Sequence, residues 1–344
     1  MIEKNIMLAA INPYVEITVM QPTEEVTGKD FIAFGENNRY PEYIAEAVDN
    51  CGTITSVITG SADFVVGSSI SFSKKYVNRK EETIRDIYHK CAVDWFTFGG
   101  FYLHVIRNAE GGISEIYWLD YKNMRSDADN EVFFYSEDWS RSYGRVKYLT
   151  YPKFSNVIPH TSSVIYVKNP NSRSTYAKPI WAADLKSVII EGKIDDYHLN
   201  AINNGFSGSY IINFNNGIPT DEVKEEIEND INEKFAGAEN AGRMLISFSA
   251  DKEHAVDVQK LDVEDYGERY ESLAKRSRER IYGAFGATPA LFGIMTETTG
   301  FSQQEFNEAF ALYSKTRIKA VQDVIGETIN KIYGETPVIT QFSL

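Results

Sequence analysis

Apolar positions recur at two different periods along this chain, and the period changes with position. Pro41 to about Val48, with Ile44 and Val48 four apart, reads as a helix, and about Thr53 to Val66 as a second, separated by the stop Asp49-Asn50-Cys51-Gly52. A third helix carries Ile84, Ile87, Tyr88, Cys91, Trp95 and Phe98 on one stripe and ends at Gly99-Gly100. The period then drops to two. Phe101–Arg107, Ile113–Tyr121, Glu131–Tyr135, Val146–Tyr151 and Val164–Lys168 read as strands, divided by Asn108-Ala109-Glu110-Gly111-Gly112 and Ser126-Asp127-Ala128-Asp129-Asn130. Strands in succession beside helices predict an α+β domain built on an antiparallel meander.

The second half returns to helix. Pro179 opens a segment reaching about Asn203, with Leu185, Val188, Ile189, Leu199 and Ile202 apolar and Glu191, Asp195 and Asp196 acidic. A small unit follows, with strand Ser209–Phe214, turn Asn215-Asn216-Gly217, a helix and strand Met244–Phe248. Its helix spaces Val223, Ile227, Ile231 and Phe235 by four. Asp221, Glu222, Glu225, Glu226, Glu228, Asp230 and Glu233 fill the other faces. So narrow a stripe buries little. From about Tyr266 to Phe285 another helix places Tyr266, Tyr270, Leu273, Ser277, Ile281 and Phe285 near one face, with Lys275, Arg276, Arg278 and Arg280 crowding the rest. A loop with Pro289, Gly293 and Gly300 leads to Ser302-Gln303-Gln304-Glu305, which has the form of a capping box. A last helix then extends to about Tyr333, roughly 45 Å at 1.5 Å per residue, with Gly334 as its C-cap. A helix that long and not all apolar is expected to cross a subunit interface or to traverse a whole assembly.

Composition narrows the function. The 344 residues are 43% hydrophobic and 24% charged, as expected of a folded chain of two or three domains. No apolar run is long enough to span a membrane, and Met1-Ile2-Glu3-Lys4-Asn5 has no signal-peptide pattern. Two cysteines, Cys51 and Cys91, exclude a disulfide framework and fit a reducing cytoplasm. The net charge of −14 opposes tight gripping of a phosphate backbone. Catalytic patterns are missing. His89, His104, His160, His198 and His254 show no metal-ligand spacing, no P-loop occurs, and Ser272-Leu273-Ala274-Lys275 lacks the companion motifs of the Ser-x-x-Lys enzymes. Neither a cofactor nor a metal is expected. A hydrolase centred on Asp63, Asp120 and His104 has no support from spacing.

The order helix, small acidic α/β insert, helix, Gly/Pro loop, long helix resembles the tailed-bacteriophage portal (head-tail connector) proteins, in the short form of temperate phages and prophages. Local motifs agree: Phe34-Gly35-Glu36-Asn37-Asn38-Arg39-Tyr40-Pro41, Thr97-Phe98-Gly99-Gly100-Phe101-Tyr102-Leu103, and Gly237-Ala238-Glu239-Asn240-Ala241-Gly242-Arg243. So does Phe285-Gly286-Ala287-Thr288-Pro289-Ala290-Leu291-Phe292-Gly293, although Ala287 and Thr288 stand where the family has valine and proline. The resemblance implies a wing-like α+β domain over 1–178, a first stem helix over 179–204 and a clip-like insert over 205–262. A second stem helix over 263–286, a tunnel loop over 287–301, a long helix over 302–334 and a short tail over 335–344 follow, with the crown nearly absent. It implies a non-enzymatic homo-oligomeric ring, a dodecamer, at one capsid vertex of the virion, assembled in the host cytoplasm. Double-stranded DNA would pass through it, and the terminase large subunit, the major capsid protein and a head-tail adaptor would be its partners. In that arrangement Met295, Thr296, Glu297, Thr298, Thr299 and Gly300 line the channel. Asp221, Glu222, Glu225, Glu226 and Arg243 belong to the clip that docks partners. Some of Lys275, Arg276, Arg278 and Arg280 would pair with Glu191, Asp195 or Asp196, within one chain or across neighbours. The alternative is an α+β scaffolding or partner-binding protein with no DNA conduit.

Overall fold

A computed structural model describes residues 19–26, 30–139, 146–170, 172–203, 210–214, 220, 223, 244–248, 266–293 and 303–342. The chain divides into two compact units: one of residues 19–192 and 276–344, the other of residues 1–18 and 193–275.

The larger unit opens with a two-stranded ribbon, β1 (Glu24–Val26) and β2 (Ile32–Phe34), followed by α1 (Tyr40–Asp49) and α2 (Gly52–Val66). Ile54, Val57, Ile58, Ser61, Ala62 and Val65 of α2 are all buried, at the spacing of one helix face. Strand β3 (Ser69–Ser71) leads on to α3 (Ile84–Phe98). Its start is a capping box: the Thr83 hydroxyl accepts from the Asp86 N–H, and the Asp86 carboxylate accepts from the Thr83 N–H at 2.8 Å. Its end is Gly99, at φ 84°, where a Cβ would lie 2.2 Å from the Lys178 carbonyl oxygen. Only glycine fits there, so the helix stops where the glycine pair predicts.

Next, β4 (Gly100–Arg107) pairs antiparallel with β5 (Ile113–Leu119) on one side and β9 (Ser162–Lys168) on the other. A second antiparallel sheet holds β6 (Met124–Ser126), β7 (Val132–Tyr135) and β8 (Leu149–Pro152) in that order. The strands expected in this region are therefore shared between two sheets, with β6 not foreseen. Phe101, Leu103 and Val105 alternate into the core against α3, while Tyr102 stacks on Tyr166 at 4.2 Å on the opposite face. The helix expected from Pro179 instead begins as a 3-10 turn, Ala182–Asp184, and becomes α4 at Leu185–Asn203.

Arg125 on β6 is 0% exposed. Its guanidinium donates to Asn38 Oδ1 (2.6 Å), to the Asn38 carbonyl (2.5 Å), and to the Lys122 and Met124 carbonyls (2.9 and 2.8 Å). Glu42 lies 3.5 Å away, and the guanidinium sits 5.0 Å from the centre of the Trp139 ring. Asn38 Oδ1 also accepts from the Phe34 N–H at 2.9 Å. Gly35, at φ 76°, gives the turn its shape, since a Cβ there would meet Tyr40 Cβ at 2.5 Å. The motif Phe34–Tyr40 is thus a receptor for one buried arginine.

After α5 (Tyr266–Phe285) and a 3-10 turn at Pro289–Phe292, the long helix is described from Gln303. It runs as α6 (Gln303–Tyr313), one π-helical turn (Ser314–Ile318) and α7 (Lys319–Tyr333), closed by Gly334 at φ 74°. Ser302, the expected cap, lies outside the described residues. Tyr313, Ile318, Val321, Ile325, Ile329 and Ile332 are buried in the same core as α2 and α3. α7 is thus seated in the core of its own chain. Residues 335–344, read as a tail, contain β12 (Val338–Thr340), which pairs antiparallel with β3. Gln322 ties that strand down, accepting from Gln341 (3.1 Å) and donating to the Val65 carbonyl (2.9 Å).

In the smaller unit, β10 (Tyr210–Phe214) and β11 (Met244–Phe248) pair in parallel, in register from Tyr210–Met244 to Phe214–Phe248. Parallel pairing requires a connection that returns along the strands. The rings of His198 and Tyr270 lie 6.1 Å apart, edge to face.

Two predictions follow from burial. Replacing Arg125 with Met takes the guanidinium donor from the Asn38, Lys122 and Met124 carbonyls and leaves Asn38 Oδ1 with only the Phe34 N–H. It should cost about 3–5 kcal/mol in urea unfolding, and Arg125→Lys should not restore it, because an ammonium cannot reproduce the fork. Asp94, buried on α3, accepts from Trp118 Nε1 at 2.8 Å. Burial pushes its carboxyl well above the ordinary carboxylate range; the Trp118 N–H opposes this and the Asp120 charge adds to it. The folded state therefore holds a proton that the unfolded chain releases near pH ~4, so this group's stability is full below that pH and lost as pH rises toward the folded pKa. Asn keeps an acceptor for Trp118, so Asp94→Asn should gain on the parent protein steadily from pH 5 to pH 8. Parallel stability profiles would show that Asp94 is charged when folded.

Candidate functional site

The charged residues expected to matter sit on α4 and α5. On α4, Leu185, Val188, Glu191 and Ile194 are buried, which places a carboxylate in the apolar stripe. Glu191 Oε1 accepts from the Thr53 hydroxyl at 2.5 Å, and Oε2 from the Cys51 thiol at 3.3 Å. Burial, with the Glu191 charge adding to it, pushes the Cys51 thiol up to about 12, so it stays protonated and can donate. Beside it, Gly192 lets α4 approach the chain before α2; a Cβ would come 2.5 Å from the Asn50 carbonyl oxygen. Tyr282 of α5 is buried against this group, and its phenol is raised by burial first and by the Glu191 charge second. Within the chain Glu191 is thus held by neutral donors, not by the α5 cations. It clamps the start of α2 to α4.

On α5, Ser277, Ile281, Tyr282 and Phe285 are buried, and Arg276, Arg278, Glu279 and Arg280 are exposed. The helix is rooted by one stripe and presents its arginines to solvent. Arg280 Nε meets Asp184 Oδ1 at 2.8 Å, one turn before α4 and not at the acidic residues expected. As a half-exposed pair it contributes at most about 1 kcal/mol. Lys275 is exposed, as are Asp195 and Asp196; Asp196 pairs with Lys193 at 2.8 Å. Ile281 is fully buried in the core shared with α2 and α3, so a helix-breaking change there would damage the α+β unit as well.

The segment Met295, Thr296, Glu297, Thr298, Thr299, Gly300 lies outside the described residues. Its flanks do not. On one side the Phe292 ring packs between Tyr282 (6.1 Å), Phe64 (6.2 Å) and Tyr313 (6.3 Å). Gly60 makes room for it, since a Cβ there would lie 2.8 Å from the ring. On the other side Phe306 stacks on Phe310, and the Tyr313 and Ser61 hydroxyls bond at 2.7 Å. The chain before the loop is therefore anchored to α2 at Phe292, and α6 after it at Tyr313. The clip residues Asp221, Glu222, Glu225, Glu226 and Arg243 also lie outside the described residues.

The residues of the hydrolase alternative have separate partners. Asp63 meets His89 at 3.3 Å, Asp120 accepts from the Lys122 N–H at 3.0 Å, and His104 Nε2 bonds Ser162 at 2.7 Å. Burial lowers the His104 pKa, which keeps the ring neutral. Among the described residues no group of three or more His, Cys, Asp or Glu could hold a metal ion, and no helix is long and apolar enough to cross a membrane. Sequence reasoning missed the Arg125–Asn38 centre, although two adjacent asparagines after a glycine are a signal for left-handed backbone. Both have positive φ (53° and 61°).

Comparison with known proteins agrees with this architecture. A protein of Rickettsia bellii (strain RML369-C), described as uncharacterized, is 27% identical over 177 residues, 50% of this chain and 44% of its own. One from Rickettsia felis (strain ATCC VR-1525 / URRWXCal2), also uncharacterized, is 27% identical over 124 residues, 36% and 30% respectively. The chain thus spans less than half the length of these curated relatives. Among solved structures, a chain from the virion of a native gene transfer agent particle superposes with a TM-score of 0.52 at 16% identity, over 87% of this chain and 82% of that one. A chain from the neck of the native particle, computed with C12 symmetry, gives 0.51 at 16% identity over 84% and 80%. At this identity the likeness is one of fold. The family profile described as phage portal protein matches residues 78–331, most of the length, and on that match this chain belongs to the phage portal protein family.

Proposed function

We propose that this chain is the subunit of a portal ring, most simply a dodecamer, set at one vertex of a capsid. The ring is the conduit for double-stranded DNA during packaging and ejection, and its work is mechanical rather than catalytic. The observation that carries the proposal is the match over residues 78–331, supported by a fold shared over 84% of the chain with a component of a neck computed with twelvefold symmetry. Assembly in the host cytoplasm, contact with the major capsid protein, and docking of the terminase large subunit and then of a head-tail adaptor at the 205–262 insert belong to the same reading.

The physical chemistry suits a conduit. Twelve copies at −14 each give about −168, a wall that repels the phosphate backbone overall. DNA that must move is slowed by every ion pair it makes. The segment 295–300 has one carboxylate, three hydroxyls and no cation, so it can approach a duplex without binding it. Its flanks are locked by Phe292 and Tyr313 to α2, which would hold a ring of such loops at constant radius. The exposed arginines of α5 are too dispersed around the helix for all of them to face one channel.

Negative-stain imaging and native mass spectrometry of the purified chain test the ring directly. Closed rings support the reading, whereas monomers or open chains at every concentration favour a partner-binding protein without a conduit. Glu297→Lys adds two positive units per copy, about twenty-four around twelve. Rings should form normally, with DNA transit slowed roughly tenfold at low salt and recovering as salt rises. Unchanged transit would remove this loop from the channel. Deleting Pro219 to Gly237 should leave the larger unit folded by circular dichroism and block packaging. Normal packaging by that variant would show that the insert docks no motor.

A further inference from the structure

One face of the larger unit gathers lysines around a cleft. A cleft of about 270 Å³ beside β7, β8 and β9 is lined by Lys153, Lys168 and Lys331, with Phe154 and Tyr166 among its walls. The Lys168 ammonium is held by the Ser174 carbonyl (2.6 Å) and the Thr175 carbonyl (3.2 Å), so its position is set in advance. Lys153 meets Glu131 at 2.5 Å, and Asp129 also lines the cleft. Next to it, the loop after β8 carries Val157 at 89% and Ile158 at 66% exposure. Single exposed apolar residues are ordinary. Two in succession on a loop built to hold them out are not. The Ser155 hydroxyl accepts from both the Val157 and Ile158 N–H groups at 3.1 Å. Arg107 donates to the Ser155 carbonyl (3.3 Å) and to Asn156 Oδ1 (2.7 Å), and Asn156 Nδ2 donates to the Lys331 carbonyl at 2.9 Å. That last bond joins the apolar tip to the cationic cleft.

We propose that this cleft and the Val157–Ile158 tip form a docking face for a segment of another protein that carries spaced carboxylates beside a branched apolar residue. Charge complementarity selects the carboxylates. The tip supplies apolar area at little ordering cost, because its backbone is already fixed. A nucleic acid suits the face less well. Phosphate offers the apolar tip nothing to bury. The cleft volume is on the scale of side chains rather than of a duplex. The inference is independent of the channel and of the ring.

The test uses the full chain and a fluorescein-labelled peptide of repeating Glu-Glu-Leu units, read by anisotropy. Its isomer with Gln for Glu and a short DNA duplex serve as controls. The parent protein should bind the acidic peptide and not the Gln peptide. Raising salt from about 50 to about 300 mM should weaken binding several-fold. Lys331→Glu should weaken it about tenfold at low salt. Ile158→Ser should weaken it by a similar factor at both salts. Circular dichroism and imaging of the variants check that the fold and any assembly persist. No binding of the acidic peptide, equal binding of the Gln peptide, insensitivity to both substitutions, or duplex binding with the same sensitivities would each overturn the proposal. Loss of assembly in folded Lys331→Glu would also overturn it, because the face would then be a contact between copies of this chain.

Discussion

A fully buried guanidinium holds the larger unit to one arrangement. Arg125 has surrendered its hydration, and the loss is tolerable because four acceptor contacts and the nearby Glu42 carboxylate replace the water. Those acceptors come from distant places: the turn after β2, the start of α1, and the connection from β5 to β6. Asn38 is the centre. Its side-chain oxygen receives both Arg125 and the Phe34 N–H, and its own backbone stands at φ 61°. If any of the three segments moves, a charge is left unpaired in a dry core. The ribbon β1–β2, the helix α1 and the sheet β6–β7–β8 are therefore positioned together.

Around that centre the chain closes on itself from both ends. The last helix, α7, lies in the core with α2 and α3, and β12 completes a ribbon with β3. Residues 69–71 thus find their strand partner in residues 338–340. The same closure fixes the surroundings of the 295–300 loop, since Phe292 before it and Tyr313 after it both rest on α2. The division between the two compact units falls inside α4 and inside α5. At the 192/193 end, Glu191 and Gly192 bind α4 to the residues that open α2.

Charge is used in two ways in this molecule. Among the described residues buried charged groups are few. Arg125 is fully paired, Glu191 is held by hydroxyl and thiol donors, and Asp94 is pushed by burial toward its neutral form. Among the described residues exposed charge is plentiful and of both signs, with the α5 arginines and the Lys153–Lys168–Lys331 cleft among its basic sites. A chain that repels polyanions as a whole can still present cationic ground where a particular partner is to be met.

Apolar spacing marked α1 and α3, because helices with one apolar face declare themselves at i, i+3 and i+4, and the last helix was legible from a capping-box pattern and a closing glycine. Their ends were legible too: Gly99 and Gly334 stop helices because left-handed backbone there admits little else. The order of parts was enough to suggest the portal family. Pairing was not in the sequence. Alternation marks a strand but not its neighbour, so the meander became two sheets, β6 and β12 went unseen, and β10 was found parallel to β11. The partners of charges were hidden for a related reason. Glu191 and Arg280 were legible as charges on helices, but burial and distance chose Thr53, Cys51 and Asp184 as their partners. An ion pair is a matter of a few ångströms, which local pattern does not encode. Only the packed chain brings residues as far apart in sequence as Asn38 and Arg125, or Asn156 and Lys331, within bonding reach.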